Sequence, residues 1–340
     1  MATGKEIRIE AYRPEGAGDW DAFVEGSNNG TLFHKQSFLA YHGPGRAQGF
    51  RHLLFYRGDR LAAVLPMGVG REGAMATARS PEGASFGGLV TAGAEYAEHR
   101  DLVEALVEYL RQHGIGRMTL TPPPAAYHLR PDGGMEFCLL RAGFTLAARN
   151  LCQAVDLAAL AGRDPLESYT YACNKQVRKA LREGIEVRPT RDWEAFHPVL
   201  EENRRKHGVK PTHSLEDLRR LDALVPEALH LFGAFRGETL IGGVLCFAAN
   251  PRLLLNFYTC HREEDAGTGV SNLLNHEAIT WARDRGFRTY DFGTSSLAME
   301  PNEGLIRFKE SFGGGSLLRD TYIWEANLPS RVAPSPSLGA

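Results

Sequence analysis

Asp291-Phe-Gly-Thr-Ser-Ser296 and, after a short gap, Asn302-Glu-Gly-Leu-Ile-Arg-Phe-Lys-Glu-Ser-Phe-Gly-Gly314 decide how this chain folds. The first stretch closes a short apolar strand over 289–293 that ends on a carboxylate and small polar residues. The second predicts a helix from about Glu303 to Phe312, stopped by the glycines at 313–315. On that helix Leu305, Phe308 and Phe312 fall at i, i+3 and i+7 and make the buried stripe. Lys309 lies i+4 from Leu305 and i−3 from Phe312, so it emerges beside the buried side. A cation placed there either snorkels to solvent or meets an anion in a cleft. Arg307 follows Glu303 at i,i+4, the order that favours a surface ion pair; contact with a substrate is its other reading.

Working outward, three echoes recur in the same order. Asp19-Trp-Asp-Ala-Phe23 returns as Asp192-Trp-Glu-Ala-Phe196, and Arg57-Gly-Asp-Arg-Leu61 as Arg236-Gly-Glu-Thr-Leu240. Leu110-Arg-Gln-His-Gly114 returns as Ala282-Arg-Asp-Arg-Gly286. The offsets are 173, 179 and 172 residues, so the three matches are nearly in register and argue for a duplicated domain. Each half reads as a strand, a Trp-bearing amphipathic helix, a hairpin turning at Arg-Gly-Asp or Arg-Gly-Glu, a long helix ending at glycine, and another strand. That order predicts a mixed α/β sheet in each half. The boundary is expected near 158–165, and the Pro/Ser-rich stretch from 329 to 340 is expected to be a tail.

Length and composition bound the rest. The 340 residues suffice for two domains, and 43% hydrophobic with 24% charged residues describes an ordinary globular chain. A net charge of −2 gives no whole-molecule attraction to nucleic acid or acidic lipid. Five cysteines without a CxxC fit a reducing compartment, and the N-terminus lacks the apolar core of a signal peptide. No run of eighteen apolar residues occurs, so a cytoplasmic protein with no membrane span is expected. The twelve histidines show no metal-ligand spacing, and no metal is expected. Gly83-Ala-Ser85-Phe-Gly87 matches the Gly-x-Ser-x-Gly pattern, but an extended segment follows where a nucleophile elbow needs a helix.

Phe308-Lys-Glu-Ser-Phe-Gly313 and the preceding Tyr290-Asp-Phe-Gly293 are similar to the C-terminal signature of the FemAB-like branch of the GNAT acyltransferase superfamily. Lys210-Pro-Thr-His-Ser214 resembles a bacterial subgroup of that branch, and the similarity runs from about Trp20 to Trp324. The resemblance, together with the repeat, implies two tandem GNAT-like domains: 1–160, expected to be supporting, and 161–328, expected to be catalytic. The first is assigned support because its counterpart of the C-terminal helix has no Lys-x-x-Phe-Gly.

The candidate site follows from these elements. In the strand Leu253–Cys260, the period of two puts Asn256 and Tyr258 on one face, with Asp291 near the end of a neighbouring strand. In GNAT folds these two strands splay apart and the acyl donor enters the gap. Gly267-Thr-Gly269, before a helix from Ser271, resembles the GNAT pyrophosphate loop, although Glu264 stands where that loop carries Gln or Arg. A plain strand-to-helix turn is the alternative. Residues 171–210 carry ten Lys/Arg against six Asp/Glu, and Lys175, Arg178, Lys179 and Arg182 share overlapping helical faces. Either a phosphate-bearing substrate docks there, as the Fem resemblance implies, or the helix is simply solvated.

The function expected is an N-acyltransferase in which a primary amine attacks a thioester or ester directly. His213 or Asp291 would remove the proton, unless His213 merely precedes a helix capped by Ser214. Lys309 would neutralise charge on the oxyanion or on a phosphate of the substrate, and Tyr258 would protonate the leaving group, the role that the GNAT resemblance implies for it. Asn256, Ser295 and Asn302 would orient substrate. An acyl-CoA is the expected donor, and an aminoacyl-tRNA, as in a Fem-like peptide-bond-forming ligase, is the alternative. The acceptor would be a small molecule or a cell-envelope precursor. A non-catalytic, ligand-binding GNAT pair is the third reading.

Overall fold

The computed structural model describes residues 6–93, 95–206 and 208–326; the expected tail at 329–340 lies outside them. The chain divides into two units, one of 1–149 with 319–340, the other of 150–318. In chain order the first unit holds β1 (Ile7–Ala11), α1 (Ala17–Gly26), the single turns α2 (Gln36–Leu39) and α3 (Gly43–Arg46), β2 (Leu53–Arg57) and β3 (Arg60–Leu65). It continues through β4 (Gly68–Glu72), β5 (Met75–Ser80), β6 (Val90–Thr91), α4 (Tyr96–Gln112), β7 (Ile115–Leu120) and α5 (Gly134–Arg141). Then come β8 (Thr145–Asp156), α6 (Tyr171–Arg182), β9 (Ile185–Thr190), α7 (Trp193–Arg205), α8 (Leu215–Leu224), β10 (Leu229–Arg236), β11 (Thr239–Asn250) and β12 (Leu253–His261). The chain closes with α9 (Val270–Asp284), β13 (Thr289–Thr294), a small hairpin of β14 (Ser296–Leu297) and β15 (Glu300–Pro301), α10 (Glu303–Glu310) and β16 (Gly315–Glu325).

The repeat is visible element by element. Both Arg-Gly turns are tight hairpins, pairing Arg57 with Arg60 and Arg236 with Thr239, with Gly58 and Gly237 at positive φ. The echoed tryptophans, Trp20 and Trp193, are buried on α1 and α7. A linear split at 160 does not describe the result, however. Asn150 onward in β8 belongs to the second unit, where β8 pairs with β13; Arg319 onward in β16 belongs to the first, where β16 pairs with β7. The final strand of each repeat therefore completes the sheet of the other.

In the second unit the strand order is β8-β13-β12-β11-β10-β9. Apolar residues on both sides of the strands make both faces buried, as a sheet covered by helices on each side requires. On one face α6 and α9 pack over Phe232, Val244, Cys246, Leu254 and Tyr290. On the other α7 packs on β11 and β12, and α8 packs on α7. Gly243 lets the Phe196 ring of α7 lie against the strand, where a Cβ would collide with it. In the first unit, β1-β2-β3-β6 and β4-β5-β7-β16 are separate sheets, so β6 and β7 are not neighbours.

Candidate active site

The parallel ladder between β12 and β13 is short. It pairs Leu253 with Thr289, Leu254 with Tyr290 and Leu255 with Asp291, and there it ends, although β12 runs on to His261 and β13 to Thr294. Two irregularities produce the split. On β12, Leu245 pairs with Tyr258 but the adjacent Cys246 pairs with Asn256, so Phe257 is an extra, bulged residue. On β13 the register against β8 shifts between Asp291 and Thr294, and Gly293 takes φ 71°.

The bulge corrects one expectation. Asn256 and Tyr258 do not share a face, because the extra residue reverses the alternation between them. Tyr258 turns toward the α7–α8 side. Its hydroxyl accepts the backbone N–H groups of Thr212 (3.0 Å) and His213 (3.3 Å) and lies 3.2 Å from His213 Nδ1. The Arg204 guanidinium covers its ring at 5.1 Å, and burial raises its pKa, so the phenol keeps its proton at neutral pH. His213 is 3% exposed among Phe247, Phe257 and Tyr258, and its carbonyl oxygen lies 3.3 Å from His197 Nε2. Ser214 caps α8 through a reciprocal capping box with Asp217, which fixes the backbone beside His213.

Asn256 turns toward α9. Its Nδ2 donates to Asn275 Oδ1 (2.8 Å) and Thr259 Oγ1 (2.9 Å), and the Tyr290 hydroxyl donates to the same Asn275 oxygen (3.0 Å). Asn256 therefore belongs to a buried network that ties the bulged strand to a helix and to β13. Asn275 was not singled out from the sequence; its signal is an amide among Leu273, Leu274 and Ala278 on an apolar helix face.

The end of β13 carries the charged pair. Asp291 is 1% exposed, and its Oδ1 accepts the Gly293 N–H at 2.7 Å. Lys309 reaches it from α10 and is also buried. Its Nζ donates to the carbonyl oxygens of Gly293 (2.7 Å) and Thr294 (2.9 Å), the residues where the strand leaves its ladder. Burial pulls the Lys309 pKa down to about 8, against the opposing field of the Asp291 carboxylate. Ser295 is buried too, donating its hydroxyl to Gln153 Oε1 and its N–H to Leu151 O.

Other candidates stand apart. Asn302 is the exposed N-cap of α10, accepting the Leu305 N–H at 3.0 Å, and Arg307 pairs with Glu303 at 3.1 Å on the surface. Both do the ordinary work that their sequence positions allow. Lys175 and Arg178 are exposed on α6, with Arg178 donating to Asn174. Gly269 is the left-handed N-cap of α9 (φ 86°), and a Cβ there would overlap the Gln176 carbonyl of α6. Gly267 (φ 80°) has open space and accepts Lys179 Nζ at its carbonyl oxygen, 2.9 Å away. Three carboxylates, Glu263, Glu264 and the buried Asp265, lead into this turn. Ser85 lies in a loop without the strand and helix of an elbow. Among the described residues no group of His, Cys, Asp and Glu could hold a metal ion, and no helix is long and apolar enough to cross a membrane.

Residues 168–309 match the family described as the acetyltransferase (GNAT) domain. No curated protein sequence matches the chain. Among solved structures, FemX superimposes with a TM-score of 0.70 at 14% identity, covering 94% of this chain and 98% of FemX. The L-PGS structure from Bacillus licheniformis gives 0.59 at 14% identity, covering 97% of this chain and 95% of that one. A tandem GNAT protein from the clavulanic acid biosynthesis pathway gives 0.55 at 16% identity, covering 95% and 100%.

Proposed function

We propose that this chain, an acyltransferase with a FemAB-like tandem GNAT fold, joins an activated acyl group to a primary amine at the split between β12 and β13. The observation that carries the reading is the split itself: a ladder that stops at Leu255 and Asp291 with a buried ammonium at its end. Lys309, near pKa 8, is cationic at neutral pH and poorly solvated, so its charge acts strongly on a nearby oxyanion. Tyr258, protonated and hydrogen-bonded to His213, is suited to donate to a leaving group. The phenolate left behind is held by the N–H groups of Thr212 and His213, and it recovers through His213 the proton that the attacking amine nitrogen loses. Asp291 holds the turn at Gly293 and balances Lys309. Asn256 and Ser295 position the two strands, a role that replaces the direct substrate contact expected of them.

For the donor, the surroundings of the Gly267–Gly269 turn favour an aminoacyl ester on tRNA over an acyl-CoA. Asp265 is paired with Arg236 and Glu263 with Lys206, but Glu264 stands beside the turn as an acidic neighbour unfavourable to a pyrophosphate, and Gly269 is taken up by close approach of α6 rather than by a cradle. The exposed cations of α6, Lys175 and Arg178 among them, offer phosphates a landing place. The acceptor class is the amine of a small molecule or a cell-envelope precursor. Thermal unfolding with CoA, acetyl-CoA, charged tRNA and uncharged tRNA tests the donor. A ligand at a hundred times its Kd adds about 2.7 kcal/mol. Stabilisation by tRNA, charged most of all, supports this donor; stabilisation by the coenzymes alone returns the donor to acyl-CoA and makes the turn a pyrophosphate site.

A further inference from the structure

Among the described residues the two units differ at one edge. In the second unit, α6 packs against both α9 and the edge strand β9. Its small apolar face, Cys173, Val177 and Ala180, joins the core cluster that holds Ile185 and Val187, the first and third residues of β9. In the first unit the corresponding elements are α4 and the edge strand β1, and among the described residues no helix lies between them. What lies there is a groove of about 1200 Å³. Its floor includes Ile7 and Ile9, the first and third residues of β1, with Ala105 and Tyr109 of α4. No residue of β1 is buried, whereas Ile185 beneath α6 is 1% exposed.

The electrostatics of the groove say what fits. Glu6, Glu95, Glu98, Asp101, Glu104 and Glu108 line it, against two guanidiniums, Arg57 and Arg100. Those two are engaged with Glu98 and Asp101, so an acidic surplus remains along the rim. The helix that fills the equivalent slot in the second unit pairs a small apolar stripe with Lys175, Arg178, Lys179 and Arg182. At 1.5 Å per residue the 17-residue α4 offers a track of roughly 25 Å, longer than a twelve-residue helix of roughly 18 Å.

We propose that the β1–α4 groove of the first unit receives a basic amphipathic α-helix of a partner protein. That helix presents small apolar residues at i, i+4 and i+7, in the position that α6 occupies in the second unit. Apolar contact with Ile7, Ile9 and Tyr109 gives the seat, and the carboxylate rim selects Lys- and Arg-flanked helices over acidic ones.

The test uses the full chain and a fluorescent peptide with the α6 sequence, residues 170–183, titrated by anisotropy. Binding to the wild type that weakens at least tenfold between 50 and 500 mM salt is expected. Ala105→Arg, which fills the half-exposed floor, should abolish it. The double variant Glu104→Lys with Glu108→Lys, both exposed positions on α4, should weaken it at least tenfold while leaving the melting temperature unchanged. The same peptide with its four Lys/Arg replaced by Glu should not bind. Absence of binding at millimolar peptide, or binding indifferent to both groove variants, overturns the proposal; the second result would place the peptide elsewhere, for instance against α9 in exchange with α6 itself.

Discussion

Lys309 holds two backbone carbonyls and lies in the field of a buried carboxylate, so its charge is tied to folding and, on the proposed function, to chemistry. Its folded pKa of about 8 lies below the unfolded value of about 10.4. Below pH 8 both states carry the proton and the folded state bears the full burial cost. Between the two values the unfolded chain binds more protons, so this residue makes stability rise with pH, by about 3 kcal/mol in all. Denaturant titrations at pH 7 and pH 10 should show that gain in the wild type relative to Lys309→Met; equal pH slopes in the two proteins would contradict it. Turnover should move the other way, falling as pH rises through 8 because the oxyanion loses its cation. Tyr258→Phe keeps the ring but leaves the N–H groups of Thr212 and His213 without their acceptor. It should cost about 1–3 kcal/mol by chemical denaturation. Periodicity set Lys309 next to the apolar side of α10, but the structure buries Lys309 itself while Leu305 and Phe308 stay half-buried. The sequence could not place Asn256 and Tyr258 relative to each other, because a single bulged residue, Phe257, reverses the alternation that put them on one face.

At the scale of elements, the glycine turn before α9 shows how one motif admits two causes. Glycines that precede a helix read equally as a phosphate cradle or as room for a neighbour, and only the position of α6 separates them. Gly269→Ala puts a Cβ against the Gln176 carbonyl at a left-handed φ. It should destabilise by more than the ~1 kcal/mol expected for Gly267→Ala, which meets open space. Comparable losses in thermal or denaturant unfolding would mean that α6 does not bear on the turn. The split between β12 and β13 was legible only through the family resemblance, since nothing in the apolar run of either strand announces where a ladder stops. Caps and hairpins were legible directly: Ser214, the Arg-Gly turns and the glycine stop after α10 are local features with local causes.

Across the whole molecule, the duplication was readable from three short echoes, but the exchange of final strands was not. Strand pairing is non-local, and β8 and β16 carry no residue that names their partners. The exchange has a consequence for truncation. Removing residues 315–326 takes β16 away from β7, where Tyr322 pairs with Leu120 and Trp324 with Met118. Hydrogen exchange should then show β7 losing protection while β10 to β12 keep theirs; unchanged protection of β7 would contradict the assignment of β16 to the first unit. The same architecture pairs β5 with β7 in parallel from Ala76 to Ser80 in the first unit, whereas the β12–β13 ladder of the second unit stops at Leu255 and Asp291, which is where the proposed function puts the acyl donor. The most direct test of that claim is single-turnover transfer of the aminoacyl group from charged tRNA to a panel of primary amines, comparing wild type with Lys309→Ala. The wild type should transfer, and the variant should lose about 10²–10³-fold in rate while still binding tRNA. Transfer at the wild-type rate by Lys309→Ala would remove the site from the end of β13.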